Sequence, residues 1–537
     1  MNKLMNPLID QLEEGTNTLN ARTENGAVTN RSTLSSLVDY FSLAGAMREN
    51  QEDALDLFQR AFNYCPQSAL KILFYLRDVR GGQGERRLFR NAMDWICITQ
   101  AGRIRHLLGL IPEYGRWDDL INLASYPSIH ESVTSIISRQ LGKDDANLDL
   151  ELGPEISLLA KWMPSISASD KNQKQLAKEW ADILGLTQKQ YRKMLKRIRK
   201  QLNVVEQKMC DHQWDDINFS MVPSQAMLKY RTAFFKNAKG NMEQYLADLA
   251  SGDAKVNADT LQPHQITAQL RKANLESDLD TPASFSTMST EELLLLDYAW
   301  KNLPAYGDPQ NILTICDVSL SMTTKVASGV TAMDVAIANS IYLAERCTNP
   351  LWRDAFITFS DKPQLVRLNH DATIQKRVKD TEDANWSGST DLIKTFDLII
   401  NKTMKNAIST TQIQEILPDT IMILSDMEFN AACGGYRAWR DTVRNEDGTS
   451  DPMATTFQTI DEMFNNHGLK RPNIVFWNIN ARPGNCPVTV NDHGVACVSG
   501  FSPSIMQMCF SGDISPESCL RKIVLDNPRY DPIVYPG

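Results

Sequence analysis

No stretch of these 537 residues is apolar for long enough to cross a bilayer as a helix. The amino terminus as given, Met1-Asn-Lys-Leu-Met-Asn-Pro7, lacks the apolar core of a secretory signal. Ten cysteines are present, but none forms a Cys-x-x-Cys pair. Cys486, Cys497, Cys509 and Cys519 fall near the end at spacings that do not suit zinc. Reduced thiols in a cytoplasmic protein without membrane contact are therefore expected. A glycine-rich phosphate loop of the Walker type is missing. So is any Ser/His/Asp or Cys/His arrangement with supporting context, which weakens the case for nucleophilic catalysis. Net positive charge is missing as well. Lys and Arg number 56 against 65 Asp and Glu, a formal net charge of -9. Any nucleic-acid contact must come from local patches.

The length predicts two or three domains. Residues 1–30 are polar and weakly patterned, which predicts a loosely held arm. Residues 31–300 read as helical almost throughout, with Leu55, Phe58 and Phe62 at helix spacing. Short connections between many helices predict a solenoid-like, HEAT-like helical domain. Asn302–Gln310 reads as a hinge. Residues 305–537 then alternate strand-like runs with helical ones. The runs at Ile312–Cys316, Ala355–Ser360, Thr420–Leu424, Ile474–Ile479 and Val495–Ser499 are separated by helices near Met333–Cys347, Asp391–Lys405 and Ala454–His467. That rhythm predicts a Rossmann-like α/β domain with a central, mostly parallel sheet. Ala431–Asp451, rich in Gly, Arg and Asp, reads as a long loop or lid.

Within the second half, Asn311-Ile-Leu-Thr-Ile-Cys-Asp317-Val-Ser319-Leu-Ser321 is an apolar strand ending in an acid, with two hydroxyls at alternate positions. Alternate residues of an extended chain point the same way, so Asp317, Ser319 and Ser321 can converge at the carboxyl end of the strand. Open α/β sheets bind ligands there. Thr390 follows Trp386-Ser-Gly-Ser just before a helix, and Ile421-Met-Ile-Leu-Ser425-Asp426 is a second apolar strand ending in an acid. Oxygen donors of this kind suit a hard cation such as Mg²⁺, which keeps part of its shell for water or a partner. The plainer reading is a strand-end Asp beside helix-capping hydroxyls. An aspartyl-phosphate chemistry would place a second acid where Ser319 stands, which makes a metal-dependent phosphoester hydrolase the weaker alternative.

Two stretches of the helical half are basic. Arg77, Arg80, Arg86, Arg87 and Arg90 surround a Gly81-Gly-Gln-Gly84 cluster, which reads either as a phosphate-approaching loop or as an ordinary helix–helix turn. In Lys189–Lys200, Tyr191, Leu195 and Ile198 form an apolar stripe. That leaves Lys189, Arg192, Lys193, Lys196, Arg197 and Lys200 to face outward together, as nucleic-acid contacts or as a solvated helix face.

The five metal-type residues, in this order after these elements, resemble the von Willebrand factor A domain and its metal-ion-dependent adhesion site (MIDAS). The resemblance implies that Ser319, Ser321 and either Thr390 or Asp426 ligate the cation, with one position left for an acidic group of a protein partner. Arg77–Arg90, Ile111–Leu120, Val222–Arg231 and Leu261–Ile266 together with that domain resemble an uncharacterised family of Ro-like proteins. The architecture is similar to that of the TROVE proteins, the Ro ribonucleoprotein autoantigens. This likeness implies RNA binding, to small structured RNAs or single-stranded ends, without catalysis. A metal-dependent protein adaptor is the alternative. His264, in the Pro-His element, reads as a core or turn histidine.

Overall fold

The computed structural model describes residues 20–24, 28–148, 155–202, 204–271, 288–306, 310–359, 362–384, 392–429, 456–482, 484–502 and 514–536. The chain forms two compact units, Met1–Ile72 with Leu261–Asp531 and Leu73–Thr260 with Pro532–Gly537. This division departs from the expected one, because the first helices and the helices after Leu261 belong with the sheet. Strands β1 (Asn20–Arg22) and β2 (Val28–Asn30) pair antiparallel. Asn30 then bridges Cys486. The described part of the expected arm is therefore held in place. Helix α1 (Ser36–Leu43), capped by the Ser35 side chain on the Val38 amide, buries Val38, Tyr40, Phe41 and Leu43. A helix's apolar stripe is legible in sequence, but not which element covers it.

The second unit is helical. It contains the end of α2 (Pro66–Arg77), then α3 (Arg86–Thr99), α4 (Trp117–Asn122), the short α5 (Leu159–Trp162) and α6 (Gln188–Leu202) among others. Its helices pack mainly on near neighbours in the chain, as in helical arrays. Phe74 meets Phe89 and Tyr114 edge-on at 5.4 and 5.3 Å.

In the first unit, α7 (Pro263–Leu270) precedes the sheet. Strand β3 (Ile312–Asp317) is followed by α8 (Ala332–Ala344), β4 (Ala355–Phe359), β5 (Gln364–Arg367), α9 (Ile374–Glu382) and α10 (Leu392–Asn406). Then come β6 (Thr420–Ser425), α11 (Thr456–Asn466), β7 (Asn473–Asn478) and β8 (Val495–Ser499). The strand order is β8-β7-β6-β3-β4-β5, parallel except for the antiparallel edge strand β5. Edge strand β5 is short and half polar, so its alternation is too brief to read from sequence. Residues 302–306 are no hinge between the units: the Tyr342 hydroxyl donates to Pro304 O at 2.6 Å and accepts from the Tyr306 amide.

All six residues of β3 are buried, as they must be in a strand covered on both faces. Leu313 and Ile315 share a core with Phe396, Ile399 and Phe464 of α10 and α11. On the other side, α8 is buried at every one of its 13 positions. Its Val335, Ile337, Ile341 and Leu343 each contribute roughly 1.5–3 kcal/mol by leaving water. Thr331 and Asp334 close a capping box at its start. The same Asp334 carboxylate accepts from Arg271 at 2.7 Å, and Arg271 also bonds Glu382 at 2.6 Å. One buried guanidinium thus ties the segment after α7 to α8 and α9. Arg271→Met leaves a buried and a half-buried carboxylate without this counter-charge. It is expected to destabilise the unit by about 3–5 kcal/mol, read as faster native-state hydrogen exchange of the α8 and β3 amides. Unchanged exchange would show that the triad holds nothing together.

Candidate functional site

Strand order reverses direction at β3, since the chain leaves it for β4 on one side and returns to β6 on the other. The carboxyl ends of β3 and β6 therefore flank a switch point, where the sheet opens a crevice. Asp317 ends β3 and Asp426 directly follows β6, and both are buried. Asp317 Oδ1 accepts the Ser319 amide at 2.9 Å, and its Oδ2 accepts the Ser425 hydroxyl at 2.5 Å. Ser425 Oγ in turn accepts the Met427 amide at 2.9 Å. The Ser319 and Ser321 hydroxyl oxygens lie 3.0 Å apart. Asp426 Oδ1 accepts the Glu428 amide at 3.3 Å. Its Oδ2 is buried and takes no hydrogen bond of normal length from the described residues. Thus Asp317, Ser319, Ser321 and Asp426 stand together at the ends of β3 and β6. Thr390 and the expected lid, Ala431–Asp451, lie outside the described residues.

Burial, then the nearby charge of Asp426, raise the Asp317 pKa, while hydrogen bonds from Ser425 and Ser319 oppose the rise. Burial also raises Asp426, against the Ser321 hydroxyl and nearby amides. A third carboxylate, missed from sequence, stands beside them. Glu428 is buried and raised, chiefly by desolvation. Asn485 Nδ2 donates to its Oε1 at 3.0 Å, and the Glu24 amide to its Oε2 at 2.6 Å. The Thr23 hydroxyl donates to Phe429 O at 2.5 Å. The segment after β1 thus braces the loop after Asp426. Met427, between the two acids, has φ +65°, a left-handed backbone that costs a non-glycine residue of order 1 kcal/mol or more. The only sequence signal for Glu428 was its position two residues beyond Asp426, too little to separate it from an exposed acid.

The donor set tests well against a hard divalent cation. Two neutral hydroxyls at touching distance and an unbonded buried carboxylate oxygen are oxygen ligands with an unmet need for positive charge. Ser319, Ser321 and Asp426 could hold such an ion, with Asp317 positioning them. Among the described residues no cluster of three His, Cys, Asp or Glu groups is arranged as a metal cage. The described cysteines are free thiols. Leu320, between the two serines, is 69% exposed.

The two basic stretches fare differently. Arg77 is buried, and its Nε and Nη2 bond Asp119 Oδ2 at 2.9 and 2.6 Å. A Cβ on Gly115 would sit 2.7 Å from that carboxylate oxygen, so the bare glycine makes room for the pair. Arg77 is therefore corrected from surface contact to core ion pair. Arg90 is half-buried and bonds both Asp119 at 2.7 Å and Asp118 at 2.8 Å. Arg80 is exposed and donates to Glu113 O. Arg86 and Arg87 are exposed. The glycine cluster is a helix–helix turn and not a phosphate cradle. The Gly82, Gln83, Gly84 and Glu85 amides all donate to carbonyls of residues 75–78, and a Cβ on Gly82 would strike Tyr75 O at 1.9 Å. On α6, by contrast, Lys189, Arg192, Lys193, Lys196, Arg197 and Lys200 are all exposed, while Tyr191, Leu195 and Ile198 are buried. Arg197 has a loose ion pair to Asp145 at 3.7 Å. His264 is buried edge-on against Phe501 at 5.4 Å, with burial pushing its pKa down to about 3.

Two families, each described as a domain of unknown function, match the chain. DUF2828 matches residues 23–100 and 169–304, and DUF7788 matches residues 311–523. The uncharacterized protein L728 of Acanthamoeba polyphaga mimivirus is 30% identical over 542 residues, covering 94% of this chain and 86% of that protein. The crystal structure of the Deinococcus radiodurans Ro (RSR) protein aligns over 92% of this chain and 99% of its own, with 14% identity and a TM-score of 0.42.

The raised carboxylates set a pH dependence. A group whose folded pKa lies above its unfolded value lends stability below the ordinary carboxylate value, about 4, and loses it as pH rises through the raised one. With chelator present, Asp317→Asn should therefore gain melting temperature relative to the parent protein as pH rises from 5 to 8. A difference that is flat, or that runs the other way, would contradict the burial argument.

Proposed function

The chain belongs to the family of the mimiviral protein L728, and we propose that it is a non-catalytic RNA-binding protein of the Ro-like ribonucleoprotein kind. The observation that carries this reading is the exposed face of α6. Lys189, Arg192, Lys193, Lys196 and Lys200 form no ion pair with the described residues, although the chain as a whole is acidic. Five unspent cations on one helix face are costly to leave unscreened and well placed to replace the counterions of a phosphate backbone. The sequence resemblance to Ro-like proteins points the same way. Affinity would come from phosphate contacts, with single strands selected over duplexes by shape and stacking.

The von Willebrand A-type reading of the sheet unit is part of the proposal. Asp317, Ser319, Ser321, Thr390 and Asp426 would form a MIDAS-type set, and a bound Mg²⁺ would supply one exchangeable position for an acidic ligand. Asp317 holds the Ser319 amide and the Ser425 hydroxyl, which fixes where the hydroxyl donors point. The unbonded Asp426 oxygen and exposed Leu320 favour a second reading, a metal-dependent contact with a protein partner through the same loop.

Two measurements test these readings. Replacing Lys193, Lys196 and Lys200 together by Ala should weaken binding of a single-stranded RNA and flatten its salt dependence by about two log–log slope units, at roughly 0.7 per phosphate. Parent protein that captures no RNA at low salt would sink the reading. Separately, millimolar Mg²⁺ should raise the melting temperature of the parent protein and not of a Ser319→Ala/Ser321→Ala variant. An equal rise in both would exclude the serines as ligands.

A further inference from the structure

The sequence sets the two basic stretches about a hundred residues apart, yet in the structure the short helix Leu159–Trp162 packs on α6 and on the helix whose Asp118 bonds Arg90. Trp162 ends the short helix α5, which packs against both α4 and α6. On the α6 side, Arg199 Nε and Nη2 donate to Ala160 O at 2.8 Å and Met163 O at 2.7 Å. The Tyr191 hydroxyl donates to Pro164 O at 2.9 Å. Three hydrogen bonds from α6 thus lock the turn that carries Trp162, and the same helix presents the exposed lysines.

On the α4 side, the Arg116 guanidinium lies over the Trp162 ring, 4.2 Å from its centre. Arg116 also bonds Asp118 at 3.1 and 3.0 Å, and Asp118 is shared with Arg90 at 2.8 Å. Arg86 stands one helical turn before Arg90 on α3 and is exposed, with no ion pair to the described residues. Arg77, Arg90 and Arg116 thus share two carboxylates, Asp118 and Asp119. Three guanidiniums share the two acids, and Arg86 adds a fourth positive charge beside them. The crowding is felt at Arg86, whose pKa is lowered by partial burial and then by Arg116 and Arg90.

We infer that Arg86, Arg116, half-buried Trp162 and the lysine face of α6 form one track for single-stranded RNA, with a base stacking at Trp162. The inference rests on the RNA-binding reading and deepens it. Surplus guanidinium charge invites phosphate, and Arg beside an aromatic face offers the stacked platform that single strands use. A duplex, its bases already stacked on each other, gains nothing from Trp162. An acidic protein segment would use the cations but not the ring.

The test uses the full chain and three fluorescent probes of equal length: oligouridylate, the same oligomer without bases, and an RNA duplex. The parent protein should prefer oligouridylate to the abasic strand by about 5- to 150-fold, the range that one stacked base supplies. Trp162→Ala should remove that preference and leave abasic binding unchanged, while Trp162→Phe should keep most of it. Arg86→Ala should weaken both strands equally and reduce the salt slope by about 0.7. The outcome that overturns the inference is a Trp162→Ala or Arg86→Ala protein that melts normally and binds all probes as the parent does; the broader reading then survives. Equal binding of abasic strand, oligouridylate and an acidic peptide by the parent also overturns it. No binding of any probe by the parent sinks both.

Discussion

A single short hydrogen bond holds the candidate metal site together. The Ser425 hydroxyl at the end of β6 donates to Asp317 at the end of β3, across the point where the sheet changes direction. Elsewhere in the sheet, β3 and β6 are joined by backbone ladder bonds from Ile312–Thr420 to Cys316–Leu424. Beyond the ladder the strands must part to open a crevice, and the side-chain bond replaces the missing rung. It also uses up one oxygen of Asp317, which leaves that acid a positioning role. Asp426, whose Oδ1 takes the Glu428 amide, keeps its buried Oδ2 as the oxygen to offer.

Several elements of the first unit converge on this crevice. Met427 turns the chain through a left-handed conformation so that Glu428 points back toward Asn485 and the Glu24 amide. Thr23, just after β1, holds the same loop at Phe429 O, while Asn30 at the end of β2 bonds Cys486 O. On the opposite face, Arg271 gathers Asp334 and Glu382 and so seats α8 behind β3. Three buried acids near one another cost the fold free energy that these braces offset, and a cation would relieve that cost. The helical unit uses charge in a different way. Its arginines near Asp118 and Asp119 are partly structural, whereas α6 leaves its lysines to solvent.

Much of the α/β unit was legible because a buried parallel sheet writes itself as short apolar runs between amphipathic ones. Five strands fell within a residue or two of their expected places, and the acids at two strand ends marked the crevice. Edge strand β5 was not legible, because four half-polar residues carry too little period. Glu428 and Asn485 were not legible either, since nothing local distinguishes an acid that turns inward from one that faces water. The basic face of α6 was readable because its stripe and its charges both follow the helical period. Arg77 was misjudged for the opposite reason: its partner Asp119 is 42 residues away, and an ion pair at that separation leaves no mark on the sequence.

The sequence by itself determined local geometry: strand-end acids, alternate hydroxyls, helix stripes, and the tally of charges. These depend on the fixed repeat of the backbone, two residues for a strand and 3.6 for a helix. Tertiary structure alone decided which charges are spent. It buried Arg77 against Asp119 and turned the glycine cluster into a helix terminator whose amides are already occupied. It put the helices before Ile72 and after Leu261 with the sheet, and it set Trp162 under Arg116 on a turn that Arg199 locks. The physical reason is that an ion pair or a stacked ring depends on distance in space, and chain folding makes that distance independent of separation in sequence.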